Sequence, residues 1–258
     1  MQALIELKEA TKRFEHIEQT ITSVNCVSLS IKEGETVGIV GESGSGKSTV
    51  ARILTHLIEA DSGKIFYRGN DVTNIKGKER KEFYQKVQMV FQNSQDSFHP
   101  RKRLKTSIGM GLKNQGVSKQ EIEERIKVLA KKTGLTMDLL ERYPHEVSGG
   151  QCQRAAIARA IAIEPEFIVC DEATSSLDAT VQQQIILLIK QLQKEGKSFL
   201  IISHDIALVQ ELCERVFVMH QGKMIESGTI EEVILHPKME YTKQLIASAS
   251  YFIESKDN

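Results

Sequence analysis

Hydrophobic and polar residues alternate in the N-terminal part of the chain. Residues 4–31 follow this pattern, most clearly at 21–24 and 27–31, and residues 62–69 form a further segment bounded by turn residues. Alternation with a period of two is typical of strands that bury one face. The pattern therefore predicts an antiparallel sheet in this part of the chain.

Apolar residues recur at helical spacing in the middle of the chain. Residues 119–133 predict one helix and residues 137–143 a second, shorter one. A third helix runs from 151 to about 163, where Pro165 ends it. We expect these helices to form an insert between the strands on either side.

Strands and helices alternate after Pro165. The predicted elements are a strand at 167–170, a helix at 181–196, a strand at 198–203, strands at 215–219 and 223–227, and a helical tail beyond 230. Continuous apolar strands separated by helices are typical of a parallel sheet covered on both faces. The predicted fold class is α/β.

The composition excludes several classes of protein. The chain has 258 residues and equal numbers, 34 each, of Lys plus Arg and of Asp plus Glu, so no net field favours nucleic acid. Residues 101–105 are locally basic and are interpreted as a solvated face or a docking edge. The four cysteines show no C-x-x-C spacing and the histidines are scattered, which predicts a reducing compartment without a zinc site or a cluster.

The pattern for membrane insertion is missing from the sequence. The N-terminus alternates like a strand and lacks the features of a signal peptide, and no stretch of 18 apolar residues occurs. We expect a soluble, cytoplasmic chain that reaches a membrane only through partners.

Residues 41–48 read GESGSGKS, which fits the phosphate-binding pattern G-x-x-x-x-G-K-[ST]. An apolar strand at 36–40 precedes this segment, here called the phosphate loop, and a helix predicted at 48–58 follows it, with Val50, Ile53, Leu54 and Leu57 on one side. The pattern places Lys47 on the β- and γ-phosphates and the Ser48 hydroxyl on Mg²⁺. An ordinary Gly/Ser turn is the alternative.

Two further motifs carry charge or hydrogen-bonding groups. The strand at 167–170 ends in Asp171 and Glu172, where Asp171 can hold Mg²⁺ and Glu172 can deprotonate an attacking water. Residues 148–151 read SGGQ before a helix, an arrangement that can bind an anion. Taken alone, the first motif could be two surface acids and the second a helix-capping turn.

Together these motifs resemble the ATP-binding-cassette (ABC) ATPase family, over almost the whole chain. The resemblance implies that residues 148–151 contact ATP held by an opposite subunit. It also implies that Phe14 stacks on adenine, Gln92 senses Mg²⁺ and water, Asp178 within 175–178 couples two sites, and His204 contacts the γ-phosphate. Without the resemblance, Phe14 would be interpreted as a core residue and His204 as a structural one.

The resemblance implies a full set of site residues for ATP and Mg²⁺. The catalytic residues would be Lys47, Gln92, Glu172 and His204; the nucleotide-binding residues Phe14, Gly41, Ser43, Gly44, Gly46, Lys47, Ser48, Thr49, Ser148, Gly149, Gly150, Gln151 and Asp178; and the metal ligands Ser48, Gln92 and Asp171. The implied architecture is one nucleotide-binding domain, with a β subdomain and core at 1–92 and 164–235, a helical insert at 93–163 and a tail at 236–258.

Two segments resemble the peptide/nickel importer branch of the family, residues 88–102 and 236–245, although His99 replaces the usual Asn. Some subunits of this branch hold an iron–sulfur cluster near the C-terminus, whereas this sequence has no cysteine after Cys213. The expected function is therefore ATP-driven import of nickel or a nickel chelate, with di- or oligopeptide import as the alternative. Soluble ABC ATPases of DNA repair or ribosomes need insertions or a second cassette, and a kinase or GTPase would not explain residues 148–151 or His204.

The resemblance also implies partners. Two transmembrane permease subunits are expected, together with a second ATPase that is either a different chain or a second copy of this one. An extracytoplasmic binding protein would act indirectly, and nucleic acid is not expected. The chain would lie peripherally on the cytoplasmic face of the cell membrane.

Overall fold

Strands and helices follow one another closely in the computed structural model, which describes residues 2–15, 20–174 and 177–254, with the backbone alone for 249–254. Within those ranges the strands are β1 (Ala3–Glu15), β2 (Thr20–Lys32), β3 (Thr36–Val40), β4 (Ser62–Tyr67), β5 (Asn70–Asp71), β6 (Val87–Val90), β7 (Phe167–Asp171), β8 (Ser198–Ile202), β9 (Arg215–His220) and β10 (Lys223–Thr229).

The α-helices of the same ranges are α1 (Lys47–Leu54), α2 (Gly77–Lys86), α3 (Leu104–Ile108), α4 (Met110–Asn114), α5 (Lys119–Lys132), α6 (Met137–Leu140), α7 (Gly149–Ile161), α8 (Ala179–Lys194), α9 (Ile206–Leu212) and α10 (Glu240–Glu254). A 3₁₀ turn at Pro144–Glu146 and a π-helical turn at Glu231–Leu235 complete the described helical segments.

The chain folds as two compact units, which we describe separately. The first unit comprises Met1–Arg80 and Ser198–Asn258, and the second comprises Lys81–Lys197. The predicted division into a core at 1–92 and 164–235, an insert at 93–163 and a tail stays a prediction.

The first unit contains an antiparallel sheet and a mostly parallel one. The antiparallel sheet has the order β2-β1-β4-β5, which confirms the prediction from the alternating N-terminal pattern. In the other sheet β3 pairs in parallel with β8 on one side and β9 on the other, and β10 adds an antiparallel edge. All five residues of β3 are buried, as expected of a strand covered on both faces.

The second unit pairs β6 and β7 in parallel and surrounds them with helices. The predicted helices at 119–133, 151–163 and 181–196 are confirmed as α5, α7 and α8, each within two residues at either end. The helix α7 has small, buried alanines on several sides, which explains how it packs deep within this unit.

Two predicted helices are shorter in the structure. The helix predicted at 48–58 ends at Leu54, because His56 adopts a left-handed φ of 54°, and Leu57 is consequently 45% exposed instead of buried. The helix predicted at 137–143 ends at Leu140, since Pro144 favours an extended conformation for Tyr143, which has ψ 159°.

No helix in the described part of the chain combines the length and the apolar character needed to cross a membrane. All four cysteines are free thiols; Cys26 is exposed and the other three are buried. Burial raises the pKa of the Cys170 thiol to about 12 and that of Cys152 to about 11, so both remain neutral thiols at physiological pH.

Candidate functional site

The phosphate loop follows β3 directly and depends on glycine at two positions. Gly41 has φ 150° and Gly46 has φ 107°. A Cβ atom would lie 2.1 Å from the Met219 carbonyl oxygen at Gly41 and 2.1 Å from the Ser23 carbonyl oxygen at Gly46. No side chain fits at either position, so only glycine allows the backbone to adopt this curved conformation.

Lys47 is the first residue of α1 and is only 6% exposed. Its Nζ donates hydrogen bonds to the carbonyl oxygens of Gly41 (2.8 Å) and Glu42 (2.7 Å). A buried ammonium beside a glycine loop at a helix N-terminus suits a polyphosphate, because backbone N–H groups and the helix dipole add to the positive charge. The loop therefore fits the predicted ATP.

The other predicted residues of the loop lie around this ammonium. Ser43 and Gly44 are exposed, and Ser48 and Thr49 are half-buried on the first turn of α1. The Thr49 hydroxyl lies 2.8 Å from that of Ser23 on β2, which ties the helix to the antiparallel sheet within the first unit.

His204 emerges from the same edge of the sheet as the phosphate loop. The Ser203 N–H donates to the Ile39 carbonyl oxygen at 3.2 Å, and β3 and β8 run in parallel. Because ligands bind beyond the carboxyl ends of parallel strands, this exposed histidine is placed to reach a ligand of the loop.

Phe14 is not a core residue. Its side chain is 37% exposed and faces Ile21, which is 44% exposed, across the β1–β2 ladder. The Lys12 Nζ lies 5.7 Å from the Phe14 ring centroid. An exposed aromatic ring remains available for a flat ligand such as adenine.

In the second unit, Gln92 and the two acids lie at the ends of paired strands. Val90 of β6 is opposite Cys170 of β7, so Gln92 and Asp171 follow at the same sheet edge. Asp171 is 4% exposed, whereas Glu172 is half-buried and has φ 51°. Left-handed φ values are uncommon for residues other than glycine and concentrate at functional sites.

Residues 148–151, here called the signature segment, begin helix α7. Ser148 is the N-cap, its Oγ accepts from the Gln151 N–H at 3.3 Å, and the Gln151 Oε1 accepts from the Ser148 N–H at 3.1 Å. The side chains of Ser148 and Gln151 therefore cap the helix in this structure, as the alternative interpretation of this segment expected. Gly149 is exposed and Gly150 is buried.

Asp178 and Gly150 of the signature segment both have Val181 as a neighbour. The Asp178 carboxylate accepts from the Val181 N–H at 3.0 Å and caps α8, while a Cβ at Gly150 would lie 2.6 Å from Val181 Cγ1. Gln92, Gly149 and Leu177 also line one cavity of about 570 Å³. Residues 175 and 176 of the predicted coupling segment lie outside the described residues.

The predicted magnesium ligands are oxygen donors, which Mg²⁺ prefers. Ser48 belongs to the first unit, and Gln92 and Asp171 belong to the second. No group of three or more His, Cys, Asp or Glu residues that could hold a metal occurs in the residues that the structure describes. A few protein oxygens suit Mg²⁺ that is bound together with a nucleotide, because substrate phosphates and water supply the other ligands.

Sequence reasoning missed one contact of the phosphate loop. The Tyr241 hydroxyl accepts a hydrogen bond from the Glu42 N–H at 3.1 Å. The sequence marked residues 236–245 only as a resemblance to a branch of the family. No local pattern could reveal a contact between residues 199 positions apart.

Comparison with known proteins matches these features to one family. The ABC transporter family model matches residues 24–175. The chain is 42% identical over 246 residues to the oligopeptide transport ATP-binding protein OppF of Salmonella typhimurium, covering 94% of this chain and 74% of the relative. It is 45% identical over 231 residues to the dipeptide transport ATP-binding protein DppF of Lactococcus lactis subsp. cremoris, covering 88% and 74%.

A solved structure agrees with this assignment. The dimeric ATP-binding cassette MJ0796, in a post-hydrolysis state bound to ADP and Pi, has a TM-score of 0.82 and 30% identity, covering 88% of this chain and 98% of that one. The predicted ABC ATPase fold is thereby confirmed. The chain belongs to the ABC transporter family, as an ATP-binding subunit that uses Mg²⁺ and hydrolyses ATP.

Proposed function

We propose that this chain drives the import of di- or oligopeptides across a cell membrane, from its cytoplasmic face. The observation that carries the proposal is its 42–45% identity, over about nine-tenths of its length, to oligopeptide and dipeptide transport proteins. These relatives favour the peptide alternative and give no support to nickel import, which the sequence favoured.

In the proposed mechanism, Lys47 and the phosphate loop bind the β- and γ-phosphates. While the Gly41 and Glu42 carbonyls hold the Lys47 ammonium in place, the ammonium donates to phosphate oxygens of the nucleotide. Phe14 stacks on the adenine ring, and Ser43, Gly44 and Thr49 contact the phosphates. Ser48 in the first unit and Gln92 and Asp171 in the second are the proposed oxygen ligands of Mg²⁺, an ion that would neutralise charge developing on the phosphates.

Glu172 is the proposed general base. It accepts the proton from the attacking water as the bond to the γ-phosphorus forms and the bond to the ADP oxygen breaks. The left-handed backbone conformation of Glu172, directly after β7, sets the direction of its side chain relative to the strand. Gln92 orients the water, and His204 donates a hydrogen bond to the γ-phosphate.

The signature segment belongs to a second site in this proposal. Gly149 is exposed and lines a cavity with Gln92 and Leu177, so its backbone is accessible to a nucleotide held by another subunit. Two ATPases would close head to tail around two ATP molecules, and loss of the γ-phosphate would remove the interaction that favours closure. The partner is either a different ATPase or a second copy of this chain.

A groove of the second unit is the proposed contact with a permease. It encloses about 490 Å³, and its lining includes Ser97, His99, Met110 and Arg159. Arg159 lies over the Phe98 ring at 4.5 Å and donates to the Ser97 carbonyl oxygen and, at 3.0 Å, to its hydroxyl. Because Ser97 lies only five positions after Gln92, an occupant of the groove would be linked to the proposed ATP site through a short stretch of chain.

The permease contact can be tested with two matched apolar positions on helices of the second unit. Met110 lines the groove and is 36% exposed, whereas Val128 lies outside it and is 67% exposed. Met110→Asp should abolish co-purification with the permease subunits in detergent, and Val128→Asp should preserve it. Equal retention of the permeases by both variants would refute this assignment of the groove.

A further inference from the structure

The C-terminal segment touches the phosphate loop through one side chain. Tyr241, in the first turn of α10, is half-buried and accepts a hydrogen bond from the Glu42 N–H at 3.1 Å. Its ring contacts that of His220 at the end of β9, with ring centroids 3.9 Å apart and planes inclined by 38°. Burial raises the pKa of the Tyr241 phenol above its ordinary value of 10, so the group stays a neutral hydroxyl.

This hydrogen bond acts on the same peptide group that holds Lys47. The Gly41 carbonyl and the Glu42 N–H belong to one planar peptide, whose two polar bonds point in opposite directions. The carbonyl accepts from the Lys47 Nζ at 2.8 Å on one side, and the N–H donates to Tyr241 on the other. Fixing the N–H therefore fixes the orientation in which the carbonyl meets the ammonium.

The position of Tyr241 is itself held by the β9–β10 hairpin. The carboxylate of Glu226 on β10 accepts from the N–H groups of Lys238 (2.8 Å) and Met239 (3.2 Å), just before α10. Thr242, the residue after Tyr241, is completely buried. The same hairpin contacts the loop directly, since the Gly222 N–H donates to the Ser45 carbonyl oxygen at 3.0 Å.

We infer that Tyr241 is a positioning residue for ATP binding, which orients the Gly41–Glu42 peptide and through it the ammonium of Lys47. The inference rests on the proposed role of the phosphate loop. It gives the C-terminal segment a part in the ATPase site, in addition to its resemblance to one branch of the family. Glu226 supports this role by anchoring the residues before Tyr241.

The test is a double-mutant cycle on the purified full-length chain. Tyr241→Phe removes the hydroxyl and keeps the ring against His220, so the fold should remain. We expect the Kd for a fluorescent ATP analogue to rise roughly fivefold, the value of one ordinary hydrogen bond. In a Lys47→Ala background the same substitution should change the Kd less than about twofold, because no ammonium is left to position.

A second variant tests the same role without changing Tyr241 itself. Glu226→Gln keeps the shape of the anchor but removes its charge, and it should also raise the Kd. An unchanged Kd in Tyr241→Phe, or an equal increase with and without Lys47, would overturn the inference while leaving the phosphate loop intact. If Lys47→Ala alone did not weaken binding, the role of the loop itself would fail, and the inference with it.

Discussion

Two adjacent glycines of the signature segment should respond differently to alanine. Gly149 and Gly150 both lie in the first turn of α7, but their surroundings differ. Apart from its chain neighbours and the backbone of its own helix, a Cβ at Gly149 would have no atom of the described residues within 4 Å, whereas one at Gly150 would lie 2.6 Å from Val181 Cγ1 and 3.2 Å from Cγ2. Gly149 is therefore open to contact with a partner, whereas glycine is required at position 150 by packing against Val181.

The magnitude follows from these distances. An ordinary contact between such carbons is about 3.5–4 Å, so Gly150→Ala must displace Val181 by roughly 1 Å. Val181 is β-branched and has few rotamers to choose from, and overpacking of this kind costs about 1–3 kcal/mol. Alanine regains up to about 1 kcal/mol of helix propensity, so from the middle of that range a net loss of about 1 kcal/mol remains. Gly149→Ala should be neutral or slightly stabilising.

Urea unfolding of the purified variants measures these free energies. Gly150→Ala should lower the free energy of unfolding, and combining it with Val181→Ala should cost less than the sum of the two single changes, because the clashing methyl groups are gone. Native stability of Gly150→Ala, or strict additivity with Val181→Ala, would refute the packing argument.

The ATPase activity of Gly149→Ala then tests the role of the open position. The variant should fold with native stability and yet lose ATP turnover in the assembled transporter, because its methyl group would face the nucleotide of the opposite subunit. Full activity in this variant would contradict the proposed contact.

Three further predictions concern single side chains. Glu172→Gln should bind ATP, accumulate as a closed pair on size-exclusion chromatography and lose turnover by at least about 100-fold; unchanged turnover would exclude Glu172 as the base. Burial lowers the pKa of His56 from 6.5 to about 4, so stability is complete above pH 6.5 and falls as the pH drops toward 4. At pH 5 the loss is about 2 kcal/mol. His56→Asn, which tolerates the left-handed φ, should lose less between pH 7 and pH 5 in urea unfolding, and an identical loss would argue against this titration. A maleimide should label the exposed Cys26 in the folded chain but not Cys170, and rapid labelling of Cys170 would contradict its burial.

The elements with strong periodicity could be predicted from the sequence. Alternation specified β1 and β2, and the apolar runs specified β3, β7 and β8, because burial on one or both faces leaves a clear pattern. The helix α2 was missed because only Phe83 of its ten residues is buried, so no apolar stripe marks it. The early end of α1 depends on the backbone of one residue, His56, which hydrophobic spacing does not report.

The candidate site was predicted in part, for a similar reason. Motifs whose residues are close in sequence, such as the phosphate loop and Asp171–Glu172, carry their chemistry in a short pattern. The capping role of Ser148 follows from local geometry and was foreseen only as an alternative. The contacts of Val181 with Gly150 and of Tyr241 with Glu42 arise from tertiary packing, and a single sequence does not show them.

The most direct test of the proposed peptide import is uptake in cells that carry the native chain or Glu172→Gln in its own operon. Labelled dipeptide, labelled oligopeptide and labelled nickel would be compared side by side. If the chain drives peptide import, Glu172→Gln abolishes uptake of at least one peptide and leaves nickel uptake unchanged. Loss of nickel uptake with normal peptide uptake would contradict this proposal.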